Sequence, residues 1–353
     1  MHILLVTDAW YPQVNGVVRT LDTVSLLLRE AGHRVSLLTH EGKPTFPLPS
    51  YPEIRLALTT PGAVARSIDA VRPDCIHIAT EGPLGWFARR HCLKHGLAFT
   101  TSFHSRFPEM IAERLPLPGI ASLAHAILRR FHSPASATLV PTPTVARRLE
   151  ALGFDHVTVW SRGVDTAQFR PIQSTLFEGL QRPIMLNAGR VAVEKDIRAF
   201  LSLDLPGTKV VVGDGPQLAE LRLQYPDAVF TGYLKGDELT RALSAADVFV
   251  FPSQTDTFGL VMLEALACGV PVAAFPVEGP VDVITSDRVG CLDGDLATAI
   301  VAALACNREE CIEFARQQSW QRVATRLEQS LVPVSAAVKP RKDGNGLKNL
   351  VAD

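Results

Sequence analysis

Short β-branched runs recur along this chain, and helical patterns fill most of the gaps between them. In the first half, residues 3–7, 34–39, 75–79, 98–102 and 138–141 read as buried strands. In the second half, residues 184–187, 209–212, 248–252 and 270–275 do the same. Helical periodicity separates most of them, as at 17–30, 217–224 and 237–245. Strand, helix, strand repeated in this way specifies parallel sheets covered by helices on both faces. Two such halves predict two Rossmann-like domains, 1–165 and 166–318. The expected join is 163–183 (GVDTAQFRPIQSTLFEGLQRP), which loses periodicity and carries Pro171 and Pro183. Residues 319–331 (SWQRVATRLEQSL) read as one amphipathic helix, and 338–353 has the composition of a disordered tail.

A length of 353 residues suits two domains, each large enough to bury its own core. With 47% hydrophobic and 20% charged residues, the chain has the make-up of a globular enzyme. The six cysteines are scattered and contain no CxxC pair, so reduced thiols are expected and no metal-ligand spacing is present. The opening MHILLVTDAW is stopped by Asp8, too short for a signal peptide, and no stretch approaches the ~18 apolar residues of a membrane span. A cytoplasmic protein is expected. Residues 1–165 hold 17 Lys/Arg against 13 Asp/Glu (+4), and residues 166–338 hold 14 against 21 (−7). A basic first half suggests an anionic partner on that side. Nucleic acid is disfavoured, because no basic run interleaved with aromatics occurs.

The densest chemistry lies at 251–269, FPSQTDTFGLVMLEALACG. It reads as a strand end, a loop of small polar residues and a helix. Thr255, Asp256 and Thr257 are residue types that cap helix starts, which would leave the amides of Phe258, Gly259 and Leu260 turned outward. Such an end binds anions, phosphate above all. Glu264 follows about two turns on, within ~80° of Asp256 at ~3.6 residues per turn. One patch would then offer amides to a diphosphate and carboxylates to hydroxyl groups, the chemistry of holding a nucleotide-sugar.

Other loops gather round the same idea. Arg190 and Lys195, in NAGRVAVEKD, leave the carboxyl end of a strand, where open α/β sheets bind ligands and two cations suit a diphosphate. The bland alternative is a solvated loop with an incidental basic pair. Asn15-Gly16-Val17-Val18 is either a loop that brings backbone to a phosphate or a plain turn; it is not GxGxxG, so a dehydrogenase loses its main support. Gly213-Asp214-Gly215-Pro216 is explained by a tight turn. His104, on a loop with Arg106 after a strand, would reach the cleft from the opposite wall. In 119–131 (GIASLAHAILRRF), Ile120, Leu123, Ala124, Ile127, Leu128 and Phe131 form one stripe. That stripe either packs on its own core or, with Arg89, Arg90, Lys94 and the preceding RLPLP, rests on anionic lipid.

Assembled, these residues resemble a family 4 glycosyltransferase of the GT-B fold, from Met1 to about Leu331. The likeness rests on Asn15-Gly16-Val17, on Arg162-Gly163-Val164-Asp165 with Phe169 and Pro171, on the GR–EK loop, on GDGP, and on the E-x7-E region ending LEALACGVPV. Ser319-Trp320 resembles the family's last helix, here 319–335, which crosses back to the first domain. The resemblance implies two facing Rossmann-like domains and retaining transfer of a hexose from a nucleotide-diphosphate sugar, UDP-linked or alternatively GDP-mannose. It implies no metal and no cofactor, the nucleotide-sugar being a substrate. Arg190 and Lys195 would neutralise the departing diphosphate, and Glu264 would take the ribose. Gly16 and the amides from Asp256 through Thr257, Phe258, Gly259 and Leu260 would hold phosphate and sugar, and His104 would face the sugar. Asp256 departs from the usual Glu, which puts the donor preference in doubt. FHSRFPEM and LRRFHSPASATLVPT resemble the glycolipid-forming branch, which includes sulfoquinovosyl and glycosyl diacylglycerol synthases and lipid mannosyltransferases. That implies a membrane lipid acceptor such as diacylglycerol and a peripheral site on the inner face of the plasma membrane. A soluble or polysaccharide acceptor, a nucleotide-sugar epimerase and a non-catalytic nucleotide binder are the competing readings.

Overall fold

The computed structural model of the chain describes residues 1–13, 15–48, 51–104 and 119–336. Residues 105–110 of FHSRFPEM (Arg106 among them), the RLPLP segment and the tail 338–353 lie outside the described residues. Two six-stranded parallel sheets dominate. The first contains β1 (His2–Val6), β2 (Arg34–Leu38), β5 (Cys75–Ile78), β6 (Thr100–Ser102), β7 (Thr138–Val140) and β8 (Val157–Val159), in the order β2-β1-β5-β6-β7-β8. The second contains β9 (Ile184–Ala188), β10 (Thr208–Val212), β11 (Val229–Gly232), β12 (Val248–Phe251), β13 (Val272–Ala274) and β14 (Gly290–Leu292), in the order β11-β10-β9-β12-β13-β14. A separate antiparallel hairpin pairs β3 (Thr45–Leu48) with β4 (Tyr51–Ala57).

Alternation along each central strand explains the helical layers. Ile3 and Leu5 enter one apolar cluster while Leu4 and Val6 enter another on the opposite face. In the second sheet Ile184, Leu186 and Ala188 face one way and Met185 the other. A parallel strand buried on both faces needs such a continuous apolar run. Each sheet reverses its strand order once, between β1 and β5 and between β9 and β12. Ligand crevices open at the carboxyl ends of the strands beside such a reversal.

The chain crosses between the sheets twice, at one place. Val164 N donates to Gln318 O at 2.8 Å, and Val164 bridges Ser319. The helix Trp320–Ser330, capped by the Ser319 hydroxyl on Arg322 N, then returns to the first sheet. Trp320, Val323, Ala324 and Leu327 bury there against Ile3, Leu5, Val18, Leu21 and Trp160. Burial of Val323 and Leu327 alone contributes about 1.5–3 kcal/mol each. The join expected at 163–183 is no loose linker: Phe169 and Phe177 are buried in the second core. Isolated anchors of this kind leave no periodicity to read.

Gly163 makes the double crossing possible. A Cβ there would stand 2.6 Å from Trp320 N and 2.7 Å from the Ser319 carbonyl carbon, both backbone atoms of the returning strand. Gly163→Ala should therefore cost about 1–3 kcal/mol, read as a lowered Tm. Gly62→Ala, inside the helix Pro61–Val71 with its nearest neighbour at 3.8 Å, should be neutral or slightly stabilising. Equal effects at the two positions would refute the account of the crossing.

Candidate active site

The loops leaving both sheets at their reversal points line one cavity of about 1630 Å³ between the domains. All ten residues singled out from the sequence border it: Gly16 and His104 from the first domain; Arg190, Lys195, Asp256, Thr257, Phe258, Gly259, Leu260 and Glu264 from the second.

The loop after β9 turns through a short 3-10 segment, Val193–Lys195, which places Lys195 beside the loop after β12. Lys195 Nζ donates to both carboxylate oxygens of Asp256, each at 2.7 Å. Arg190 lies near Glu194 at 3.7 Å on the same loop. The turn Gly213–Pro216 is more than local geometry. A Cβ on Gly213 would stand 1.8 Å from Gly189 O, so this glycine lets the loop after β10 lie directly on the Arg190 loop.

The expected capping of the next helix is corrected by the structure. The helix Leu260–Ala267 starts from Gly259, at φ +84°, and no side chain caps it. Thr255 Oγ1 instead donates to Glu194 O at 3.1 Å, and Asp256 faces Lys195. Thr257 Oγ1 donates across the cleft to His104 O at 3.0 Å. The left-handed turn at Gly259 separates these side chains from the helix axis, so they fasten loops together. The helix end itself opens into the cavity with its first amides uncapped, the arrangement that favours an anion.

From the facing wall comes the helix Gly16–Glu30. Asn15 Oδ1 accepts from Val17 N and Val18 N, so these two amides are already used. A Cβ on Gly16 would stand 3.5 Å from Leu260 Cδ1, which measures how closely the two helix starts approach. One turn on, Arg19 reaches Glu264 at 2.5 Å. Glu264 is only 4% exposed. Burial pushes its carboxyl pKa up, and Arg19 pulls it back. Arg19 was not among the residues picked from the sequence. The available signal was indirect: a carboxylate buried in an apolar helix needs a cation from elsewhere.

His104 closes the cavity on the first-domain side. Its ring is buried, and Arg162 Nη2 stands 2.9 Å from its Nδ1. Burial first, then the Arg162 charge, holds the imidazole well below its usual pKa. Further out, the helix Ile120–His132 departs from the packed stripe considered above. Phe131 is fully buried, but Leu123 is 58% and Ile127 47% exposed, with Arg130 exposed beside them. Among the described residues no three His, Cys, Asp or Glu side chains converge as metal ligands.

Residues 14–168 match the family model described as Glycosyltransferase Family 4, and residues 183–306 match that described as Glycosyl transferases group 1. A GDP-mannose-dependent alpha-mannosyltransferase of Mycobacterium tuberculosis is 33% identical, over 83% of this chain and 83% of that one. The chain belongs to glycosyltransferase family 4. Other family relatives are sulfoquinovosyl transferase of Arabidopsis thaliana, 31% identical over 81% of this chain, and alpha-monoglucosyldiacylglycerol synthase of Streptococcus pneumoniae, 30% identical over 86%. The chain spans 62% of the plant protein's length and 78% of the pneumococcal one. Sucrose-phosphate synthase of Thermosynechococcus elongatus shares the fold, with a TM-score of 0.75 at 20% identity over 93% of this chain and 97% of that one. The chain thus has the two-domain GT-B architecture.

The Arg19–Glu264 pair carries a pH signature. Removing Arg19 takes the cation from a buried carboxylate, whose pKa then rises further. The penalty exists where Glu264 is ionised and fades as acid protonates it. Arg19→Ala should therefore cost about 1–3 kcal/mol near pH 8, reduced for the exposed side of the pair, and much less near pH 5. Thermal melts of both proteins at the two pH values check this; a pH-independent loss would mean that Glu264 is not held ionised by Arg19.

Proposed function

We propose that this family 4 enzyme transfers a hexose, with retention, from a nucleotide-diphosphate sugar to a membrane lipid of the diacylglycerol type. The observation that carries the proposal is the convergence of Arg190, Lys195 and the uncapped Leu260 helix end on one wall, opposite His104. A nucleotide diphosphate leaves as an anion, and fixed cations and amide dipoles stabilise the charge that develops on it.

In this reading Glu264 binds the ribose hydroxyls and the helix end receives the phosphates. Arg190 and Lys195 take the charge of the leaving group, and His104 faces the sugar. The acceptor hydroxyl attacks the anomeric carbon as the bond to the phosphate oxygen breaks. The proton passes to that oxygen, and attack on the same face retains configuration. The nucleotide-sugar is a substrate, and the reaction as written calls on no cofactor. Two readings of the donor diverge at the base. A UDP-hexose is the first, and GDP-mannose is the second, favoured by the mycobacterial relative named for that donor.

Nucleotide release from a panel of UDP- and GDP-sugars, with and without diacylglycerol vesicles, tests donor and acceptor together. Vesicle-dependent release with a new glycolipid is expected. Lys195→Ala should lower kcat/KM by about 10²–10³ while the Tm stays within a few degrees. Unchanged kinetics would remove Lys195 from the reaction, and release indifferent to vesicles would move the acceptor to a soluble molecule.

The acceptor side predicts its own binding surface. The exposed Leu123 and Ile127, the neighbouring Arg130 and the diacylglycerol synthase relative support attachment to an anionic bilayer through this helix. The expected location is the inner face of the plasma membrane. Leu123→Glu with Ile127→Glu should reduce sedimentation with anionic vesicles at least ~10-fold, and salt should weaken wild-type binding. Full, salt-insensitive binding by the double variant would rule this surface out.

A further inference from the structure

We propose that Arg162 is a positioning residue that fixes His104 as the neutral tautomer with its proton on Nε2. His104 then meets the donor sugar as a hydrogen-bond donor and never as a base. The inference rests on the reading of His104 as the sugar-facing group, and it adds a role for a residue outside the cations of the diphosphate site.

A guanidinium has five N–H donors and no acceptor. Arg162 Nη2, 2.9 Å from His104 Nδ1, can only donate, so Nδ1 carries the lone pair. The ring proton then sits on Nε2, which is buried and has no hydrogen-bond partner among the described residues, on a residue that lines the cavity. A buried donor left without a partner costs about 1–3 kcal/mol, which a ligand oxygen would remove.

The guanidinium is itself held firmly. It is 6% exposed, donates through Nη1 to Trp160 O at 2.7 Å and Ser161 O at 3.1 Å, and lies 4.8 Å over the Trp160 ring. Trp160 in turn donates from its indole N–H to Val323 O of the returning helix at 3.0 Å. A lysine could not replace this planar, stacked fork. Burial pushes Arg162 down to about 9, so it keeps its proton at neutral pH.

Among the described residues, Arg162, His77 and His132 are the charged or titratable groups that bear on the His104 ring. His77 is tied to Thr100 Oγ1 and Ser102 Oγ, and burial holds it at about 3. His132 is tied to Thr101 Oγ1 and Glu81 Oε1. From the other domain Thr257 brings only its hydroxyl, to the His104 carbonyl.

The test is nitrogen-15 NMR of histidine-labelled protein, with the His104 signals assigned by their loss in His104→Asn. Wild type should show unprotonated Nδ1 and protonated Nε2 at every pH between about 5.5 and 8.5, where a free imidazole titrates. Arg162→Met should yield mixed tautomers and a kcat lower by about 10²-fold, with nucleotide-sugar KM changed less than about threefold. Arg162→Gln, whose amide can donate to Nδ1, should restore the tautomer and part of kcat. A wild-type ring protonated on Nδ1, or on both nitrogens, would overturn the proposal. So would Arg162→Met with an unchanged spectrum and unchanged kcat. Because the spectrum needs neither donor nor acceptor, failure of the transferase reading would appear in the activity arm alone.

Discussion

The cleft depends on one contact, the side-by-side passage of the chain through 163–164 and 318–319. Val164 N on Gln318 O ties the outgoing and returning strands together, and Gly163 gives the room for it. The returning helix Trp320–Ser330 then buries its apolar face in the first core. Trp160, three residues before the crossing, donates its indole N–H to Val323 O of that helix and gives its ring face to Arg162. Arg162 reaches His104, and the His104 carbonyl holds Thr257 of the other domain. Packing at the crossing and orientation at the site are therefore one continuous set of contacts. A shift of the domains about this point moves His104 relative to the Leu260 helix end.

Much of this was legible in the chain. The central strands are apolar runs long enough to be buried on both faces, so β1, β5, β9 and β12 stood out, and with them the reversal points where the site lies. The strands not foreseen are β8, β11 and β14, all at sheet edges, and the β3–β4 hairpin. Edge strands carry mixed polarity: every residue of β11 and β8 is only partly buried. The hairpin contains Pro47 and Pro52, residues that argue against a strand except at an unpaired edge.

That these ten residues would line one cavity was legible because ligand loops repeat at fixed places in such sheets. What escaped were the pairings between residues distant in sequence. Arg19 lies far from Glu264 in the chain, and Arg162 is 58 residues from His104. Neither pairing leaves a spacing signal, since the fold alone brings them together. The capping roles of Thr255, Asp256 and Thr257 failed for the same reason. Local propensity favoured the adjacent helix, and tertiary partners took the side chains instead.

Two ion pairs of the cleft differ in how far they are exposed. Lys195 and Asp256 are each about a quarter exposed, and such a pair contributes little net stability. On the proposed function, an incoming diphosphate would take Lys195 at small cost, leaving Asp256 in contact with water. Glu264 has no such freedom, because a buried carboxylate must keep a partner. It holds Arg19, and on the proposed function ribose hydroxyls would satisfy it if Arg19 withdrew. Arg19 is 43% exposed and can move to solvent, whereas Glu264 cannot. The second domain thus keeps its carboxylate in place, and the first domain supplies the more exposed cation. Asp256 keeps its charge close to its own loop and on Lys195, whose Nζ donates to both its carboxylate oxygens.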